Sequence, residues 1–144
     1  MSSQSVTNNG KQLHVKTDTS KIFIWDNRYK AEPYNNSAYD AVTLKAGTVM
    51  GRVTGTGYIK PLRSTYSDGA EIPVGILAED VEVAGGALTN LQICNYGDVV
   101  EDKLIFDLST DNLDTTVSSQ RLRDRIHNVG IRLISNTEMT DYDN

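Results

Sequence analysis

Catalysis or metal binding in this chain would have to come from two histidines, one cysteine and a few closely spaced carboxylates. His14 and His127 could each offer a ring nitrogen to zinc, but neither has a second histidine or a cysteine at ligand spacing. His127, beside Asn128, reads instead as a residue favoured by the carbonyl end of a helix dipole. Cys94 is the only cysteine, so no intrachain disulfide can form. Its neighbours Leu91 and Ile93 make it a small buried hydrophobe rather than a reactive thiol. Asp107, Asp111 and Asp114 share one loop and could hold calcium. Their spacing, however, lacks the alternate acidic positions, central glycine and closing glutamate of an EF-hand. A solvated acidic loop is the plainer expectation. Asp98 after Gly97 is ordinary turn chemistry. There is no glycine-rich phosphate loop followed by lysine and no serine elbow. These residues define no catalytic, metal or cofactor site, and the chain is expected not to be an enzyme.

With no chemistry to position, the elements must serve a surface. A chain of 144 residues fits one domain, and 38% hydrophobic residues suggest that part of it lies outside a core. No run is long enough to cross a bilayer, and the N-terminus lacks the apolar stretch of a signal peptide. One cysteine fits synthesis in a reducing cytoplasm. Residues 1–30 hold Lys11, Lys16, Lys21, Arg28 and Lys30 against Asp18 and Asp26, a net +3, so with −5 overall the remainder carries −8. This spread is too thin for a nucleic-acid patch, and the acidic body would be repelled by phosphate. A basic arm on an acidic body points to a protein partner with an acidic surface for the arm.

Taken in order, residues 1–12 are almost wholly polar and cannot bury enough surface to offset their ordering entropy. Leu13 to Thr17 alternates apolar and polar as a short strand does. Lys21 to Asp26 holds Ile22, Phe23, Ile24 and Trp25, all of high β-propensity. It reads as the first core strand or as the adhesive part of an arm. Arg28 to Asp40, with Tyr29, Tyr34 and Tyr39, reads as an irregular loop or an interface. Leu44 to Asp80 is the organising stretch. Val49 and Val53 lie on a β-branched run, Thr54 to Gly57 is a tight turn with Tyr58-Ile59 returning, and Ser67-Asp68-Gly69 is a second turn. Pro73 should start a strand or lie on an edge. Val81 to Ala84 continues the strand pattern until Gly85-Gly86. Leu91 and Ile93 share one strand face, Tyr96-Gly97-Asp98 turns the chain, and Val99-Val100 begins another strand. One helix is predicted over residues 118–129, capped by Ser118 or Ser119. It has Leu122, Ile126 and Val129 as its apolar stripe and Gly130 at its C-cap. Ile131 to Ile134 leaves as a strand, and residues 136–144 form a loose acidic tail.

The ordered motifs carry a resemblance. Ala46-Gly47-Thr48-Val49 with Gly51 and Val53, then Ser67-Asp68-Gly69, then Val74-Gly75-Ile76-Leu77-Ala78-Glu79-Asp80, is similar to the head decoration proteins of tailed phages, the lambda protein D type. Gly97-Asp98-Val99 resembles that family's next strand. Leu122 to Arg125 with Gly130 to Leu133 resembles its last helix and closing strand. The likeness spans roughly Thr43 to Ile134.

The resemblance implies a mainly β, β-clip-like incomplete barrel with one C-terminal helix and an extended N-terminal arm. It divides the chain into an arm (1–25), a β-rich body (26–135) and a tail (136–144). It also implies a homotrimer on the outer surface of the virion head, made in the host cytoplasm. There it binds the major capsid protein and stabilises the expanded shell, without direct contact to nucleic acid or membrane. In that family the arm orders on the capsid by adding a strand to the shell protein, a mode that takes its affinity from main-chain hydrogen bonds. Leu13, Val15, Ile22, Phe23, Ile24 and Trp25 are the residues expected to bind. The alternatives are a receptor- or carbohydrate-binding module, against which the single Trp lying in the arm counts, and a small β-clip enzyme of the dUTPase kind, whose uracil-binding hairpin and water-orienting aspartate have no counterpart here.

Overall fold

The computed structural model describes residues 21–135. In chain order the strands are β1 (Phe23–Asn35), β2 (Val42–Leu44), β3 (Val49–Arg52), β4 (Ile59–Pro61), β5 (Pro73–Leu77), β6 (Val81–Val83), β7 (Leu88–Val100), β8 (Thr116–Val117) and β9 (Gln120–Arg121). The helix α1 (Leu122–Val129) and strand β10 (Ile131–Ile134) complete the body. The main sheet runs β1-β4-β3-β5-β7-β10, and β1 also pairs with β7. That extra pairing closes five strands into a barrel and leaves β10 attached outside it. The fold is therefore mainly β with one helix, as expected. His14, the strand expected over Leu13 to Thr17, the arm residues Leu13 and Val15, and the tail at 136–144 lie outside the described residues.

The middle of the sheet is buried on both faces, which explains why its strands read as unbroken apolar runs. Val49, Ile76 and Cys94 point to one side and pack with Leu122, Ile126 and Ile131 beneath the helix. Their chain neighbours Met50, Leu77 and Ile93 point to the other, packing with Tyr34, Ile59, Val83 and Leu91. Successive residues thus serve two cores, as the two-residue period of a strand requires. The ribbon of β2 and β6 roofs the second core through Leu44 and Val83. Pro73 begins β5, and the turns at Thr54–Gly57 and Ser67–Gly69 fall where their residues place them.

Three expectations are corrected. The tyrosine-rich Arg28 to Asp40 segment is not an irregular loop, because β1 continues through Asn35 with every residue from Arg28 paired to β7. The break expected at Tyr96-Gly97-Asp98 is a bulge inside a continuous thirteen-residue β7. Gly97 has φ 118°, and a Cβ there would collide with the backbone of Asn27 and the carbonyl of Trp25. Glycine lets the strand kink and carry on.

The third correction concerns the helix start. Ser118 and Ser119 do not cap it. Both have positive φ (52° and 68°) and form the two-residue turn of the β8–β9 hairpin, a geometry matched to strand twist. The helix begins at Leu122 without a side-chain cap. Its first amides are satisfied instead by loop carbonyls, Leu122 N–H donating to Thr115 O at 2.8 Å and Arg123 N–H to Leu113 O at 2.9 Å. The stripe of Leu122 and Ile126 and the positive-φ Gly130 at the far end are as expected.

Candidate functional site: the outer face of the terminal ribbon

Cys94 and the three aspartates of the acidic loop are engaged in structure. Cys94 is free and fully buried, its thiol donating to the Tyr96 carbonyl at 3.2 Å. In the acidic loop each carboxylate has its own partner. Asp107 accepts from Arg63 Nε at 2.6 Å. Asp111, itself buried, accepts from the Ser64 amide at 2.9 Å and from the Ser64 hydroxyl. Asp114 faces Arg121 and Arg123, each at 3.7 Å. Among the described residues no three acidic, histidine or cysteine side chains converge as a metal site. His127 lies in the last turn of α1.

The exposed aromatic side chains Trp25, Tyr29 and Tyr96 lie together toward one end of the β1–β7 ribbon. Because β1 runs antiparallel and β10 parallel to β7, the start of β1 and the end of β10 meet the end of β7 together. The Val100 amide donates to the Ile22 carbonyl at 2.9 Å, and Ile134 is the register partner of Val100 on the other side. The first and last described residues therefore lie beside neighbouring strands at one end of the body.

Of the six residues expected to bind through the arm, Leu13 and Val15 lie outside the described residues and four stand on the body. Ile22 and Phe23 pack against the core under the helix. Ile24 packs on Val100 and Ile134 in a small third cluster. Trp25 projects outward, 72% exposed. Phe23 already pairs with Val99 at the start of β1.

Trp25 has company that the chain order conceals. It pairs with Asp98, which in turn pairs with Arg132, so the three side by side span β1, β7 and β10. Asp98 accepts two hydrogen bonds from the Arg132 guanidinium, at 3.2 and 3.1 Å. One register step along, Arg28 opposes Tyr96 and its guanidinium lies 4.7 Å over that ring. Tyr29 meets Phe23 edge to face with ring centres 5.8 Å apart. Burial, with a smaller contribution from Cys94, raises the Tyr29 phenol above its ordinary pKa. Trp25, Asp26, Tyr96, Asp98 and Arg132, with Gly97 and Gly130 as the floor, line a shallow groove of about 290 Å³. Asp26, at φ 50°, and the bulges on either side of Trp25 set this register. The sequence offers no local signal for them beyond Gly97 itself.

A second hollow of about 480 Å³ lies at the opposite end of β1, lined by Tyr34, Asn36, Tyr39, Lys60, Tyr66 and Asp107. Here the Lys60 ammonium sits 3.8 Å over the Tyr66 ring.

The fold defines the class: a small closed β-barrel with aromatic and ionic side chains on its outward face. The comparisons with known proteins make this particular. A family model described as bacteriophage lambda head decoration protein D matches residues 26–125, and the chain belongs to that family. It is a phage head decoration protein, and the family is structural, its place the capsid surface of the virion. No curated protein matches the chain. Among the described residues no helix is long and apolar enough to cross a membrane.

Proposed function

We propose that this chain is a cement protein that binds the outside of a tailed-phage head as a homotrimer and stabilises the expanded shell against the pressure of packaged DNA. It is made in the host cytoplasm and makes its principal contact with the major capsid protein. The observation that carries this reading is the family match over residues 26–125, which takes in nearly all of the barrel and the first half of the helix. Attachment uses the segment ahead of β1, in which Leu13 and Val15 alternate with polar residues as an added strand would. That segment leaves the body beside Val100, rooted by Ile22, Phe23 and Ile24 in its cores. Three arms on one trimer make attachment multivalent, so release requires several dissociations together and modest contacts gain avidity of roughly 10²- to 10⁴-fold. No bond is made or broken.

The test is mechanical. Expanded, DNA-filled heads lacking decoration are heated with and without saturating protein, and DNA release is followed by dye fluorescence. Decorated heads are expected to hold their DNA to a higher temperature. Identical release curves with the protein bound would reduce the function to surface display without cementing.

A further inference from the structure

The outward face of the terminal ribbon does not stop at the root of the arm. We infer that Trp25, Tyr96, Arg28 and Arg132 form a second contact with the shell protein, in which an apolar side chain of the shell lies against the indole and rim oxygens take the arginines. The inference rests on the proposed attachment and adds a body-borne anchor to it.

Four observations on the molecule favour this occupant. First, Trp25 follows Ile24 directly on the strand that continues the arm, so anything the arm lies along is brought to this face. Second, the exposed residues here are tryptophan, tyrosine and arginine, the types that dominate binding energy when a partner excludes water from them. The chain's only tryptophan is 72% exposed. Leaving so large an apolar side chain in water gains the folded body little, whereas covering it favours association.

Third, the face is electrically balanced on an otherwise acidic body. Arg28 lies 3.7 Å from Asp26, and Arg132 holds Asp98 in a two-pronged contact. A partner therefore meets no net repulsion, and the arginines are already oriented by the tyrosine ring and the carboxylate. Fourth, the edge of β1 is unsuited to taking a further strand along this stretch. Bulges flank Trp25 and Arg28, Asp26 has positive φ, and Lys30 and Pro33 follow. Such devices block backbone pairing at an edge, so contact here proceeds through side chains. The arm and the face thus divide the labour between backbone and side-chain recognition.

The experiment measures binding of purified full-length variants to expanded heads. Trp25→Ala is expected to bind on the order of thirty-fold more weakly than the unaltered chain, as loss of a hot-spot residue does, and Trp25→Phe to recover most of that. Tyr39→Ala is the control. Tyr39 is 71% exposed near the opposite end of β1, roughly 30 Å away along the strand, and its loss should change nothing. Thermal midpoints of all three should match the unaltered chain, because neither side chain is packed. If Trp25→Ala binds heads normally while a chain lacking residues 1–20 does not, the second contact is wrong and the arm reading stands. If the unaltered chain does not bind heads, both fall. If Trp25→Ala keeps its head binding but loses retention on host-cell polysaccharide, the face is a glycan site and the inference is overturned.

Discussion

A chain that starts at Lys21 is expected to keep its fold and lose its hold on the phage head. The cut removes residues 1–20, Leu13 and Val15 among them, and leaves every named member of the three described hydrophobic clusters in place. Circular dichroism and the thermal midpoint should be those of the full chain, and so should the oligomeric state. Head binding should fall by on the order of a hundred-fold or more, because under the proposed attachment a trimer would forfeit the backbone pairing of three arms and the avidity that couples them. The position of the cut matters. Removing residues through Trp25 also removes the Ile22 carbonyl that accepts from Val100, the Phe23–Val99 register pair and the packing of Ile24 on Val100 and Ile134. That longer deletion is expected to lower the thermal midpoint as well, and its lost binding would no longer report on the arm alone. If the chain starting at Lys21 binds as tightly as the full chain, the arm has no part in attachment.

The second large effect concerns the tie between β1 and the rest of the barrel. Glu32 is buried on β1 and receives both prongs of the Arg52 guanidinium, at 2.9 Å each, from β3. Arg52 also donates to the Gly57 carbonyl at 3.2 Å, so one guanidinium joins the long ribbon, β3 and the Thr54–Gly57 turn. β4 lies between β1 and β3 but meets β1 only at Tyr34, which makes the ion pair a principal link at that seam. Glu32→Gln keeps the shape but loses the charge-assisted pair. It is expected to cost about 2 kcal/mol, a fall of roughly 8 °C in Tm for a body of this size.

The same pair sets an acid-side dependence. The Arg52 hydrogen bond, aided by the charges of Arg52 and Lys30, outweighs burial and holds the Glu32 carboxyl below its ordinary value of 4.5. A depressed carboxyl contributes its full stability above the unfolded pKa and loses it as pH falls through the folded one. The Tm difference between the unaltered chain and Glu32→Gln should therefore be constant at neutral pH, begin to shrink near pH 4.5 and close below it. Asp68, also lowered chiefly by its hydrogen bond from Lys60, is present in both proteins and cancels in the difference. A gap that stays constant through that range would mean that Glu32 owes its contribution to shape alone.

What could be read from the chain was what is decided locally. Gly47, the Ser67–Gly69 turn, Pro73 and Gly130 each answer a backbone demand within a few residues, and the structure uses each where its type suggests. The spacing of Leu122 and Ile126 likewise gives the helix its buried face. What could not be read depends on partners distant in sequence. Tyr29 and Asn35 look like loop residues until β7, some sixty residues on, supplies their ladder. Ser118 and Ser119 look like caps until Val117 and Gln120 pair across them and loop carbonyls take the helix amides. The outward face was hidden for the same reason. Trp25 reads as part of an arm, and only the bulges of β1 and the kink at Gly97 place it on the body beside Asp98, Tyr96 and Arg132. The one argument against a ligand-binding surface, a tryptophan confined to the arm, therefore does not hold. The groove is a surface that must be tested as such.

The most direct test is sedimentation of the full-length protein with purified expanded heads of its phage, and with unexpanded heads beside them. Saturable co-sedimentation with expanded heads, at a fixed ratio of chain to shell subunit, is the expected result. A protein that stays in the supernatant at all concentrations would contradict the cement role and turn attention to other ligands for the Trp25 face.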